Sequence, residues 1–280
     1  MSLSIEAETK IEGEPCVAAW DNKLFVGTDT GHILAFGNGL TPAEKWQAHE
    51  VQLFAISAGN GKVYSASNDG GVRIWSSAGE KIGELPALEG DIGSITVHDK
   101  YVYVGDEIGN IAVYEDNTLK AKYSVLEEVK SLVISLPFMF TARDLYVTVT
   151  EIKPDESKER FITRHNMEGR APLCIGGNRL LCISRSGNDL QLHEISSESK
   201  FKKLCEVKAS EMIITSLTST SEYCWTGGWD GVVRRWKTSG DQLQAAGELN
   251  VGSCVNALAA ISNDKVYALL SGGKIVLLKA

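Results

Sequence analysis

The residues that could carry chemistry are few and scattered. Five histidines stand at 32, 49, 98, 165 and 193, and six cysteines at 16, 174, 182, 205, 224 and 254. None of them forms an HxH, HExxH or CxxC arrangement, so no metal and no cofactor is expected. One set does have the side-chain types for nucleophilic catalysis. His49 is followed within the same stretch of chain by Ser65 and Asp69, and a Ser, a His and an Asp together can relay a proton away from an attacking hydroxyl. Elsewhere, Ser184-Arg-Ser-Gly187 lacks both the first glycine of a nucleophile elbow and a helix after it. Gly59-Asn-Gly-Lys62 is too short for a phosphate-binding loop and reads as a hairpin turn.

The elements that would hold such residues repeat along the chain. Residues 63–75 and 223–236 each run as a short β-type stretch, break at a tight turn and resume. Weaker copies occupy 24–36, 102–114, 140–150, 180–193 and 266–278. The apolar residue after each turn falls at Ile33, Val72, Ile111, Val147, Leu190, Val233 and Ile275, with gaps of 39, 39, 36, 43, 43 and 42. A period of about 40 residues with four strands per unit is the signature of a β-propeller. In the second unit the strands read as 51–57, 63–67, 72–76 and 81–85. Gly70, Gly109 and Gly231 share one turn position that calls for positive φ. No stretch has a 3.6-residue period, so almost no helix is expected.

The expected fold is therefore all-β: seven blades of four antiparallel strands, forming a single domain over 1–280. Only two residues follow Leu278, which leaves the seventh blade one strand short. Residues 3–11 alternate as a strand should, and are expected to supply that outer strand and join the two chain ends. Such closure removes exposed sheet edges. In the fourth unit, residues 151–160 are polar enough for a long loop between the third and fourth strands.

Composition narrows the functional classes. A chain of 280 residues that is 43% hydrophobic can bury roughly 75% of its unfolded surface without staples. The net charge is −8 and uneven: residues 1–140 hold 20 acids and 10 bases (−10), and residues 141–280 hold 16 and 18 (+2). That balance argues against nucleic-acid binding and favours protein partners with a basic segment. No secretory h-region follows Met1, and there is no run of 18 apolar residues and no basic cluster beyond the thin one at 200–203. The expectation is a reduced, monomeric, cytoplasmic protein without a transmembrane segment, with the nucleus left open.

The second and sixth units resemble WD40 repeats. In that family a His before the first strand, a Ser or Thr on the second, an Asp in the following turn and a Trp on the third form a hydrogen-bonded tetrad. The matching residues are His49, Ser65 (or Ser67), Asp69 and Trp75 in the second unit. In the sixth they are Thr226, Asp230 and Trp236, with no His. The resemblance implies that these side chains are structural, each buried polar group satisfying the next, and not a relay. The other five units keep only spacing and apolar pattern, and close on Phe36, Tyr114, Thr150, His193 and Leu278. The Trp-Asp pair is replaced by Trp75-Ser76 and Trp236-Lys237.

The same resemblance implies a peptide-binding rim around the mouth of a central channel. Residues before the turn Asp give Asp29, Asn68, Glu107, Arg143, Arg185, Trp229 and Ser271; residues opening each first strand give Glu14, Glu50, Asp91, Glu128, Arg170, Met212 and Cys254. Blades one to three are acidic there, while blades five and six offer Arg, Met and Trp, residue types enriched at interface hot spots. The plainer alternative is that the acids are solvated or cap turns and that Trp229 packs on Arg185. The expected function is a non-catalytic interaction scaffold or adaptor. Two alternatives stay open: a phosphoinositide-binding propeller, and an enzyme with a site in the channel. For the first, Val233-Arg-Arg-Trp236 is only a distant match to the Phe-Arg-Arg-Gly motif, and Arg234 and Arg235 are expected at an exposed and a rim-side position. A ubiquitin-ligase receptor role lacks its Trp-Asp-x-Arg signature.

Overall fold

The computed structural model describes residues 2–153 and 161–280. They form seven four-stranded antiparallel sheets, six of which are simple meanders in chain order. Among the described residues, helix is confined to one 3-10 turn at Asn38–Leu40. Among the described residues no helix is long and apolar enough to cross a membrane. By internal contacts the chain divides into two compact units.

One unit comprises Met1–Pro15, Asp144–Val147 and His165–Ala280, and contains the fifth, sixth and seventh sheets. The seventh sheet has the strands Val255–Ser262, Lys265–Leu270 and Lys274–Lys279, and is completed by Ser4–Lys10. That first strand runs antiparallel to the last, from Ser4 opposite Lys279 to Lys10 opposite Lys274. Ile11 N–H extends the pairing to the Gly273 carbonyl at 2.8 Å. Leu3 is buried with Val276 and Leu278, and Lys274–Glu8 and Lys265–Glu6 pairs flank the ladder at 2.8 and 2.6 Å. The two ends of the chain thus share one sheet, and its core cluster binds them by apolar burial.

The other unit comprises Cys16–Arg143 and Thr148–Arg164. Its sheets stack through alternating apolar residues, as in the cluster of Phe25, Ile33, Leu53, Val63 and Trp75. Close stacking needs small residues on the second strand of each sheet. A Cβ on Gly27 would sit 2.9 Å from Leu53, and one on Gly105 would sit 2.6 Å from Val129. Alternation of small and β-branched residues is thus a packing requirement. Gly109 is fixed by conformation as well: φ is +95°, and a Cβ would lie 2.4 Å from the Glu127 backbone nitrogen.

Two strand boundaries differ from the sequence reading. The first strand of the second sheet is Ala55–Gly59 rather than 51–57. Before it, Leu53 N–H donates to the Thr28 carbonyl and Phe54 N–H to the Ala66 carbonyl, at 3.1 and 3.0 Å. The Leu53 bond, to the first sheet, commits the backbone there to a loop, and Val51 and Phe54 stand exposed. In the fourth sheet the third strand runs on through Tyr146–Ile152, so Glu151 and Ile152 belong to it and not to the expected loop. The remainder of that loop, 154–160, lies outside the described residues.

Candidate functional site

The turn after the second strand decides what His49, Ser65 and Asp69 do. His49 sits just before the second sheet, buried to 1% exposure. Its Nδ1 meets Asp69 Oδ1 at 2.6 Å and its Nε2 meets Ser65 Oγ at 2.8 Å. Ser65 Oγ in turn accepts from Trp75 Nε1 at 2.9 Å. Ser67 stands apart, donating to the Gln52 carbonyl at 2.5 Å. The Ser–His–Asp distances are those of a relay, but the hydroxyl is fully buried beneath an indole that donates to it. A nucleophile must reach its substrate, and this one cannot. The set is a chain of satisfied buried groups that pins the turn.

Electrostatics agree with that role. Burial lowers the His49 pKa despite the Asp69 hydrogen bond. Burial alone would raise the Asp69 carboxyl, but the Glu50 N–H, the His49 ring and Arg73 outweigh it and hold it below the usual carboxylate range. Arg73 Nη2 lies 3.2 Å from Asp69 Oδ2. Buried thiols are no better nucleophiles, since desolvation pushes Cys174 and Cys182 up to about 12. None of the six cysteines is in a disulfide. Among the described residues no three His, Cys, Asp or Glu side chains are placed to hold a metal.

The sixth sheet builds the same turn with other wiring. Trp236 Nε1 donates to Thr226 Oγ1 at 3.0 Å. Asp230 accepts from Ser210 Oγ at 2.8 Å, from Arg234 Nη1 at 2.7 Å and from Val232 N–H at 3.0 Å. Ser210 stands as far before Thr226 as His49 stands before Ser65. Sequence reasoning missed it because a lone serine carries no signal. Arg235, expected on the rim, is buried instead. It lies 3.6 Å from the centroid of the Tyr223 ring and donates to the Asn263 carbonyl at 2.9 and 2.7 Å. Arg234 is committed to Asp230 and to Glu248. Neither arginine is available in the way a Phe-Arg-Arg-Gly lipid motif requires.

The positions singled out for a binding face divide by exposure. In the first unit Arg185, Met212 and Trp229 are exposed and Arg170 is half-buried. Trp229 stands 57% exposed and Met212 49%, on adjoining loops tied by the Trp229 N–H to Ile213 carbonyl bond of 3.0 Å. Arg185 pairs with Glu168 at 2.8 Å and lies 5.6 Å from the Tyr146 ring centroid. Trp229 therefore does not serve as its ring partner. Glu14 is half-buried and works as a turn acceptor, taking bonds from Asn256 Nδ2 and Gly272 N–H at 2.8 and 2.9 Å. Ser271 and Cys254 are also half-buried.

In the second unit Asp29, Glu50, Asn68, Asp91 and Glu107 are exposed, whereas Glu128 and Arg143 are half-buried. Glu128 pairs with Lys130 at 3.1 Å, and Arg143 with Glu127. Apolar side chains stand beside these acids in the loops: Val51 next to Glu50, Ile108 next to Glu107, and Leu126, 84% exposed, shortly before Glu128. They escaped notice in the sequence because an apolar residue beside a strand reads as part of it.

No protein-family model matches the chain, and no curated protein sequence matches it. Solved structures do. The WD40 β-propeller domain of Doa1 is similar over 99% of this chain and 97% of its own, with a TM-score of 0.80 and 13% identity. A computationally designed protein, Ika8, is similar over 97% of this chain and 98% of its own, with a TM-score of 0.70 and 16% identity. Together with the seven sheets this shows the fold: a seven-bladed β-propeller, closed by pairing the first strand with the last.

Proposed function

We propose that this chain is a non-catalytic interaction scaffold that binds a peptide or loop of a partner protein through its inter-strand loops. One observation carries the reading: Trp229, 57% exposed, stands beside Met212, 49% exposed, on loops braced by a backbone hydrogen bond. Large apolar side chains held out on rigid turns lose free energy in water and recover it against a partner. Arg185 extends this patch with a guanidinium. The exposed acids of the other unit, Asp29, Glu50, Asp91 and Glu107, suit a partner segment rich in Lys or Arg, and the neighbouring Val51 and Ile108 add apolar contact. The propeller fold is consistent with such a scaffold, and the buried state of Ser65 removes the relay reading of its turn. The partner's surroundings are proposed as the cytoplasm, with the scaffold acting as one chain in a larger assembly.

The test is affinity capture from cell extract with wild type and a Glu50→Lys, Arg185→Glu, Trp229→Ala variant of unchanged circular dichroism. Partners lost from the variant support docking on these loops. Identical capture by both proteins overturns it.

A further inference from the structure

A second feature lies on the outer edge of the fifth sheet. The strands Asp189–Glu194 and Lys203–Lys208 are joined by a hairpin loop whose cationic side chains line a pocket of about 240 Å3. Its wall on the other side is His165, Met167 and Glu168 of the strand Phe161–Glu168. In a protein of net charge −8, Lys200, Lys202, Lys203 and two histidines converge here. The carboxylates at this site are already paired: Glu168 with Arg185, and Glu206 with Lys203, with a further hydrogen bond from Gln191. Glu194 and Glu198 belong to the same hairpin but do not line the pocket. The ammonium groups of Lys200 and Lys202 face no carboxylate among the described residues.

The loop is also built to hold that arrangement. Lys200 and Phe201 are successive non-glycine residues in the left-handed region, with φ of +56° and +54°. Such conformations persist only when their surroundings over-determine them. Here Phe201 is buried, its ring stacked on His165 with centroids 6.0 Å apart. Phe201 N–H donates to the Ser196 carbonyl at 2.9 Å and Glu194 N–H to the Lys202 carbonyl at 3.0 Å. His193, buried beneath, faces the Phe201 carbonyl through Nδ1 at 3.1 Å. The turn therefore anchors its aromatic residue inward and presents the lysines on either side of it.

We propose that this pocket binds a phosphate-bearing ligand, held by Lys200 and Lys202 with His165 as a further donor. Lysine ammoniums are point-charge partners for phosphate. The volume lies below the ~300–1,000 Å3 of drug-sized ligand sites, which suits a compact anion. The source is either a free phosphorylated small molecule or a phosphorylated lipid headgroup. This inference does not depend on the loop patch around Trp229.

The test titrates inorganic pyrophosphate into the full chain at low salt and follows backbone amide shifts by NMR. In parallel, phosphatidylcholine vesicles with and without a phosphorylated phosphoinositide are sedimented with the protein. Saturable shifts at residues 165 and 200–203, weakened at least tenfold in Lys200→Gln, Lys202→Gln, are expected. A Lys237→Gln, Lys279→Gln control removes the same charge elsewhere and should bind as wild type. Pyrophosphate binding without vesicle recruitment assigns a soluble ligand; recruitment dependent on the phosphorylated lipid assigns a headgroup. Shifts that do not saturate, or that the control variant weakens equally, overturn the proposal.

Discussion

Blades two and six place the same residue types at the same offsets around one turn, yet they wire them differently. In blade two, Trp75, Ser65, His49 and Asp69 form one unbroken chain from the interior to the turn. In blade six the chain is cut. Trp236 and Thr226 make an inner pair, while Asp230, Ser210 and Arg234 make an outer set. The difference is a single side chain: an imidazole spans the gap between hydroxyl and carboxylate, and a serine reaches only the carboxylate. Both turn carboxylates meet the Arg four residues on, more closely in blade six, where Arg234 Nη1 lies 2.7 Å from Asp230, than in blade two, where Arg73 lies 3.2 Å from Asp69. A buried imidazole bridge and a half-buried ion pair thus stabilise one turn geometry by different means.

The largest effect should come from breaking the continuous chain. His49→Leu removes two hydrogen bonds in a fully buried setting and should cost about 2–3 kcal/mol. Ser210→Ala, its counterpart, leaves Asp230 with Arg234 and the Val232 N–H and should cost about 1 kcal/mol. Urea unfolding of both variants measures this. Equal losses would mean that the imidazole adds nothing over a hydroxyl.

An intermediate effect separates the two turns by pH. Burial lowers the folded-state pKa of His49 below its ordinary 6.5, so between those two values the unfolded chain binds more protons than the native one. Stability then rises with pH across that window and is lost as pH falls below about 6.5, by at most ~1.4 kcal/mol per pH unit for one proton. His193 is buried and lowered likewise, so wild type carries both contributions. His49→Gln should retain only the second, and its melting temperature should fall less steeply between pH 7 and 5. Ser210→Ala should keep the wild-type slope, because Ser210 does not titrate. An unchanged slope in His49→Gln would place the proton uptake elsewhere.

How much of this was legible in the sequence follows from what each residue needs nearby. The blade-two chain was readable because His, Asp and Trp are costly to bury alone, and their spacing to one serine is fixed by the turn. The joining of residues 3–11 to the last strand followed from counting strands. Ser210 was not readable, because serine is common in loops and its role depends on Asp230, which lies beyond two further strands of the chain. Arg235 was misplaced for a related reason. Strand alternation assigns it a face, but only the position of Tyr223 on the neighbouring strand shows that the face is covered by a ring. Val51 and Phe54 read as strand residues until the Leu53 bond to Thr28 committed the backbone there to a loop. The lysines at 200–203 looked like a thin charge run; the left-handed turn at Lys200 and Phe201 that gathers them has no composition signal, since neither residue is glycine or asparagine.

The smallest effect is also the most direct probe of the comparison. Ser210→His places an imidazole at the offset from hydroxyl and carboxylate that His49 occupies in blade two. If the offset defines the geometry, the new ring should meet Thr226 Oγ1 and Asp230 together and rejoin the inner pair to the outer set. The gain is bounded, because the ring must displace the Ser210 bond to Asp230 and the support that Ser210 Oγ gives Met212 N–H at 3.1 Å. Two bonds formed against two lost, with one now buried, should leave a change within about 1 kcal/mol. The decisive observation is therefore coupling rather than stability. In wild type, Trp236→Phe and Asp230→Asn should add independently, since no hydrogen bond links them. In the Ser210→His background they should couple by about 0.5 kcal/mol or more in a double-mutant cycle. Additivity in both backgrounds would show that position 210 lies outside the reach that His49 has in blade two.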